Sequence, residues 1–348
     1  MSDTKYLRKN YYLLDIGKFL AASLIVCAHF VSENCHLPAL IDAAFSVYVV
    51  SVPFFFTVSG FLFFEKFNSI SGKKEYFVSY IKRIALMYLS WSLIYLPFII
   101  NSWIKDGELS LKVVLSFLYR SVVFTSYPTI WFLPALFYSV ILIYFLNKKL
   151  SPKTVLLITF LLFIFGSIGY SYSFLQEYFP FLKPIYNITN TVFLTTRNGI
   201  FHGAFYVALG NYISTYKKKT VPARAGVLAV LFAIGFSVEA VLLKYFFKNV
   251  GADTVFLLIP FTYFAVRFCI SINLKEKKIY FVLRKISLLM FVSQRLFLSA
   301  IPGVWPGFMS IFLINEYLGI IMMLALVIAF SVCVFFAGKK LKFLKILM

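Results

Sequence analysis

The chain has 348 residues, 61% of them hydrophobic, 20% aromatic and 14% charged. A soluble domain has about 45–50% apolar and about 25% charged residues, so a soluble globular fold and a disordered chain are both excluded. The formal net charge of +21 raises nucleic acid as a partner, but the segments 1–10, 65–83, 147–153, 217–224, 273–285 and 338–348 hold 24 of the 34 Lys and Arg residues. Cations gathered in alternate loops between apolar runs follow the positive-inside pattern of helical membrane proteins. No basic stretch carries the interleaved aromatics of a strand-binding surface, so no nucleic-acid partner is expected.

Apolar runs of about 20 residues recur from end to end, the length that crosses a bilayer as a helix. The expected fold is all-α: a polytopic helical membrane protein of about ten transmembrane helices with both termini cytoplasmic, forming one domain over 1–348. Helix 1 covers 11–31 and is a retained anchor rather than a signal peptide, because it carries charges and no small-residue cleavage site. A short outer loop with Glu33 and Asp42 leads to helix 2 at 43–64, a basic loop, and helix 3 at 79–101. Residues 111–128 are long enough to be nearly a span. If they did cross, however, the basic loops at 147–153 and 217–224 would fall outside, so an amphipathic or re-entrant outer segment is expected. Helices 4 and 5 follow at 130–146 and 154–172, then the longest outer loop at 173–198. Helices 6 to 10 cover 199–216, 225–247, 254–272, 286–302 and 316–337. Of four cysteines, Cys27, Cys269 and Cys333 lie in apolar runs and Cys35 in an outer loop, with no CxxC pair. The histidines His29, His36 and His202 are too scattered to predict a metal site.

Helix 1 carries the first chemical signal. Asp15, Lys18 and His29 lie in an otherwise apolar run, where ionisable groups are costly and point to use. Lys18 and His29 are eleven residues apart, so about 100° per residue brings them within about 20° of one face, separated by roughly 16 Å. Asp15 lies about 60° to one side. Ala21, Ala22 and Ala28 near this stripe leave room for something to lie against it. Two readings stay open: an i,i+3 pair at one interface with a wetted histidine at the other, or a polar path through the bundle with His29 as a general base.

Read with the next segment, LLDIGKFLAASLIVCAHF followed by SVPFFFTVSGFLFF resembles the opening of the acyltransferase-3 family of integral membrane O-acyltransferases. YIKRIALMY and WFLPALF resemble its following blocks. TTRNGIFHGAFYVALG and GFSVEAVLL are similar to the membrane domain of membrane-bound serine racemases. The resemblance implies His29 as catalytic base or transient acyl acceptor, Lys18 and Asp15 along the donor path, and Ser59 and Gly60 shaping the backbone near the site. It implies that Lys82 and Arg83 grip the nucleotide phosphates of CoA, unless they are ordinary positive-inside anchors. It also implies acyl-CoA, with acetyl-CoA the usual form, as co-substrate and no bound cofactor. Two positions depart from the family pattern. Lys18 stands where arginine is usual, and Gln294 with Arg295 stands where a histidine-proline pair is common.

Four further residues are candidates on the acceptor side. Arg197 and Asn198 open helix 6, where they either meet a sugar hydroxyl or carboxylate or form an interfacial cap. Glu239 lies mid-helix, with Arg267 or Lys18 as candidate partners. Trp131 is either a belt residue or a sugar-stacking platform. The expected function is an O-acyltransferase of the bacterial plasma membrane that moves an acyl group from cytoplasmic acyl-CoA to an envelope glycan or lipid-linked sugar. The rival is a transporter or binding protein for a small amino acid or sugar. Oligomeric state has no sequence signal.

Overall fold

The computed structural model describes residues 10–34, 46–216, 221–247 and 251–348, and it is helical throughout with no strand among them. The expectations attached to Cys35, His36 and Asp42 lie outside the described residues. In chain order the helices are α1 (Tyr12–Asn34), α2 (Ser51–Phe67), α3 (Lys73–Lys105), α4 (Leu111–Val123), α5 (Phe132–Leu146), α6 (Pro152–Ile168), α7 (Leu182–Phe193), α8 (Ala204–Thr215), α9 (Pro222–Phe246), α10 (Leu258–Ser271), α11 (Lys278–Arg295) and α12 (Glu316–Lys340), with single turns between some of them.

Every one of the ten expected segments contains a helix, and among the described residues seven helical stretches, one of them Leu111–Leu146 taken whole, are long and apolar enough to cross a membrane. α6 and α10 are shorter, at 17 and 14 residues. The chain is thus a multi-pass membrane protein. Its local signals are ordinary ones. Ser110 and Ser151 cap α4 and α6 by accepting from Val113 and Thr154 N–H, and Asn315 caps α12 by accepting from Leu318 N–H. Pro152 and Pro222 start α6 and α9, where their missing N–H costs nothing.

Two segments differ from a simple span-and-loop pattern. Residues 111–123 form α4, whose 13 residues extend about 20 Å, too short for a hydrocarbon core of about 30 Å. It buries none of its residues and is separated from α5 by residues 124–131. The stretch expected as a long loop, 173–198, holds the amphipathic helix α7, in which Tyr186 alone is buried. Tyr119 of α4 donates to the Val192 carbonyl of α7 at 2.6 Å, so the two amphipathic helices meet. The expected loop thus contains a helix of 12 residues.

Because lipid is as apolar as leucine, helices inside a membrane associate by close packing and polar contacts rather than by hydrophobic burial. α2 and α8 illustrate the first. A Cβ on Gly60 would lie 2.4 Å from the Val207 carbonyl oxygen, and one on Gly210 would lie 2.2 Å from that of Thr57. Both backbones approach because both glycines are bare. Around this crossing the core is aromatic, with Phe56, Phe61, Phe63, Phe64 and Tyr206 all essentially buried. Substituting either glycine by alanine must separate the helices, at a cost of about 1–3 kcal/mol. Gly210→Ala is expected to lower the melting temperature of detergent-purified protein. Gly303→Ala, with nothing within 4 Å of the added Cβ, is the matched control and leaves it unchanged.

Candidate active site

α1 and α11 pack side by side in the same direction, and polar contacts join them near both ends. At the end carrying most of the basic loops, Asp15 is 2% exposed. It accepts from Lys18 Nζ at 2.9 Å and from Arg284 on α11, through Nε at 3.0 and 3.1 Å and through Nη2 at 2.8 Å. Arg284 also donates to Asn10. A buried carboxylate left unpaired costs several kcal/mol, and here two cations hold it. The guanidinium fork that Lys18 lacks is supplied from the neighbouring helix.

The stripe expected along α1 divides at this point. Ala22, Ile25 and Val26, between the two polar ends, are buried. The space expected beside Ala21 is taken by the 3₁₀ turn and start of α2, where Ser51 donates to the Ala21 carbonyl at 2.9 Å. Small residues on this face admit a neighbouring helix, and the open polar path expected there resolves into two separate clusters.

The second cluster is centred on His29. Its Nδ1 lies 3.1 Å from Gln294 Oε1, and Gln294 Nε2 donates to the Phe291 carbonyl at 3.0 Å. The second bond fixes the amide, since turning it over would set its oxygen against a carbonyl oxygen. Gln294 therefore presents an acceptor, and the proton of the neutral imidazole sits on Nδ1. Nε2 is left with its lone pair, which is the tautomer a general base requires. Gln294 is fully buried while His29 is half-buried, so the orienting partner is inside and the ring reaches outward.

The end of α11 explains the placement. The Leu296 N–H bonds to the Ser293 and Gln294 carbonyls, and Leu296–Ala300 form a π-helical turn. This leaves the Val292 carbonyl to accept from the Tyr95 hydroxyl at 2.7 Å. Tyr95 stacks on Tyr127 at 4.1 Å with an interplanar angle of 7°, and the Tyr127 hydroxyl meets that of Ser299 at 3.0 Å. Wide turns of this kind recur at functional sites. Arg295, next to Gln294, forms a close ion pair with Glu33, one turn beyond His29 on α1.

Other candidates cluster at the same end with different roles. Arg197 donates to Asp253 Oδ2 at 2.6 Å and to the Tyr170 hydroxyl at 3.2 Å, and its guanidinium lies 4.7 Å from the centre of the Trp131 ring. Trp131 is 5% exposed. Burial works to raise the Asp253 carboxyl, and the Arg197 guanidinium more than offsets it, so that group titrates below its ordinary value. Asn198 caps the turn before α8 by accepting from the Ile200 and Phe201 N–H groups. Glu239 accepts from the Tyr172 hydroxyl and from the N–H groups of Phe256 and Leu257, at 2.9 and 2.8 Å for the latter two. Those N–H groups open α10, so Glu239 acts as a cap in these contacts, where an ion pair with Arg267 or Lys18 was the expectation. His202 is buried among Phe56, Trp131, Phe163 and Tyr206, and neither ring nitrogen has a hydrogen-bond partner among the described residues.

Ser59 is half-buried on α2, and Gly60 faces α8. Lys82 and Arg83 are exposed on α3, at a cleft of about 690 Å³ shared with Lys74, Glu75 and Ile346. Sequence reasoning passed over Arg284 and Asp253, and it met Gln294 and Arg295 only as a departure from a pattern. A polar Ser-Gln-Arg run inside an apolar helix was the available signal for two of them.

The model of the acyltransferase domain family matches residues 11–337. This chain belongs to the acyltransferase-3 family. Among curated proteins it is similar to two proteins named amino-acid racemase from Enterococcus faecalis. One is 25% identical over 71% of this chain and 35% of its own length, the other 29% identical over 61% and 30%. It is also similar to a serine/alanine racemase from Enterococcus gallinarum, at 25% identity over 72% of this chain and 36% of the relative. The match thus spans about a third of those relatives. No solved structure matches.

The Arg197–Asp253 pair gives a signed pH test. A carboxylate lowered by folding adds stability above its unfolded value, about 3.9, and this is lost as pH falls through the lower folded value. Wild-type protein is expected to melt above Asp253→Asn at pH 7, with the gap closing below about pH 4, as followed by thermal melts across pH. Arg197→Ala, which strands the acid, is expected to cost more than Asp253→Asn, on the order of 3–5 kcal/mol.

Proposed function

We propose that this membrane acyltransferase moves an acyl group, acetyl in the simplest case, from cytoplasmic acyl-CoA to a hydroxyl of an envelope glycan or lipid-linked sugar. The observation that carries the reading is His29, with Nδ1 held by Gln294 and Nε2 unprotonated at the end of α1 away from the Asp15–Lys18–Arg284 cluster. The positive-inside rule makes the basic end cytoplasmic. The net charge of the Asp15–Lys18–Arg284 cluster is +1, which favours an anionic donor entering there. The cleft at Lys74, Lys82 and Arg83 offers cations to the nucleotide phosphates.

At the opposite end the acceptor hydroxyl donates its hydrogen bond to His29 Nε2. As its oxygen attacks the thioester carbonyl, the proton passes to the imidazole. The C–O bond forms, the C–S bond breaks, and the imidazolium returns the proton to the departing thiolate. Gln294 accepts from Nδ1 throughout and keeps the ring from rotating. Trp131 and Arg197, clamped by Asp253 and Tyr170, form a rigid wall beside the base. The bilayer is that of a bacterial plasma membrane in this reading, which the enterococcal origin of the relatives supports.

The test uses purified protein in nanodiscs with radiolabelled acetyl-CoA and a mixture of glycan acceptors. Wild type is expected to release CoA thiol in step with labelled acceptor, and His29→Ala to lose about 10²–10⁴ of the rate. Gln294→Ala is expected to fall by about tenfold or more, and Gln294→Asn to recover little, because the shorter side chain cannot reach Nδ1. Equal thiol release by wild type and His29→Ala would refute the assignment. Solute uptake into vesicles without donor consumption would point to transport instead.

A further inference from the structure

A cleft of about 400 Å³ opens at the end of the bundle away from the basic loops, between the close of α3, the close of α4 and the turns after α11. Asn101, Trp103, Lys105, Arg120, Tyr127 and Ser299 are among the residues lining it. None was singled out by the sequence, and none is used by the chemistry at His29.

The cleft is mechanically part of the His29 site. Ser299 lies five residues beyond Gln294, within the π turn that follows α11. Tyr127, which binds Ser299, stacks flat on the Tyr95 that holds the Val292 carbonyl. A molecule resting in the cleft therefore sits against the same short unit that positions the base.

The lining has the chemistry of sugar recognition. Trp103 is half-buried, steadied by the Phe117 ring edge-on at 5.3 Å. An aromatic surface packs on the C–H face of a sugar, and the amide and hydroxyls of Asn101, Tyr127 and Ser299 offer convergent polar groups of the kind that fix a ligand's orientation. The charge is unbalanced. Arg120 is exposed, and its guanidinium has no carboxylate partner among the described residues; it makes a long 3.4 Å bond to the Ser126 carbonyl and lies 5.9 Å from the centre of the Phe117 ring. Lys105 Nζ donates to the Gly303 carbonyl at 2.7 Å, which holds the ammonium in place without neutralising it. The acid on the lining, Asp106, accepts from Ser102 at 2.9 Å. Two cations against one acid leave a positive cleft, and a guanidinium with spare donors suits the paired oxygens of a phosphate or carboxylate.

We propose that this cleft is a subsite for an anionic sugar unit of the acceptor, bearing a phosphate or a carboxylate. The proposal rests on the reading of the His29 end as the acceptor side, and it places the acceptor's charge next to the unit that receives the acyl group.

Binding is measured on full-length His29→Ala protein in nanodiscs by saturation-transfer NMR, with glucose, glucose 1-phosphate and glucuronic acid as probes. No chemistry is needed for this readout, so a failure of acyl transfer and a failure of this subsite are separable. At least one anionic sugar is expected to bind about tenfold more tightly than glucose, the scale of one charge-assisted hydrogen bond. The preferred anion identifies phosphate or carboxylate as the natural group. Arg120→Gln is expected to remove that advantage, Arg120→Lys to retain part of it, and Trp103→Ala to weaken all three sugars. Equal binding of glucose and both anionic sugars would overturn the proposal, as would an advantage that survives both Arg120→Gln and Lys105→Gln.

Discussion

The pairing of α1 with α11 is the contact on which the candidate site depends. A polar group within a bilayer has no water to fall back on, so it must find a partner in the protein. α1 carries Asp15, Lys18 and His29, and α11 answers with Arg284 and Gln294. Glu33 and Arg295 add a further rung at the same end as His29. Each contact is costly to leave half-made, so the rungs act as register marks. Sliding one helix by a turn would strand Asp15 beside lipid-facing residues and take Gln294 away from His29. Polar contacts of this kind specify an arrangement more than they stabilise it.

Much of the fold was legible in the sequence because membrane helices announce themselves by length and by the charge of their flanks. The ten expected segments all hold helices, and residues 124–131 part α4 from α5. α7 was not legible, because twelve residues are too few to cross a bilayer and their apolar side chains are interrupted by Lys, Pro, Asn and Thr. The site was half legible. His29 stands out as an ionisable residue near the far end of the apolar run of α1. Its partner does not: glutamine is uncharged, and its importance arises from a hydrogen bond across 265 positions of sequence. Arg284 hid for the opposite reason. It sits among so many loop cations that positive-inside anchoring accounted for it before any ion pair was considered.

The structure also sorts residues that the sequence could only group as buried and polar. Asn198 and Glu239 both spend their oxygens on helix N-termini, where four N–H groups would otherwise go unpaired. In lipid that cost is larger than in water, so an acid in mid-helix can be explained by the backbone of the next helix without invoking a substrate. Arg197 is held on several sides by Asp253, Tyr170 and Trp131, and it reads as a fixed wall. Arg120 and Arg197 thus differ in kind. Both are guanidiniums at the same end of the bundle, but among the described residues one has a carboxylate partner and the other has none.

That difference bears on how a reaction could run across a membrane with one substrate on each side. A cation already neutralised by a neighbour adds little field, whereas one held only by a carbonyl and an aromatic ring keeps its charge for a ligand. At the basic end the surplus is one positive charge in the Asp15 cluster. At the far end the pairs Arg295–Glu33 and Arg197–Asp253 cancel, and Lys105 with Arg120 supplies the surplus. Between the two ends lie the apolar residues of α1 and the glycine-packed crossing of α2 and α8, a low-dielectric stretch in which neither surplus screens the other. Two anionic partners approaching from opposite faces would each meet positive charge at its own entrance, while the middle of the bundle stays uncharged. An anion drawn to either entrance has no favourable path to the other, so in the proposed reaction the charged head of the donor stays at its own face and only an uncharged acyl-bearing arm reaches His29.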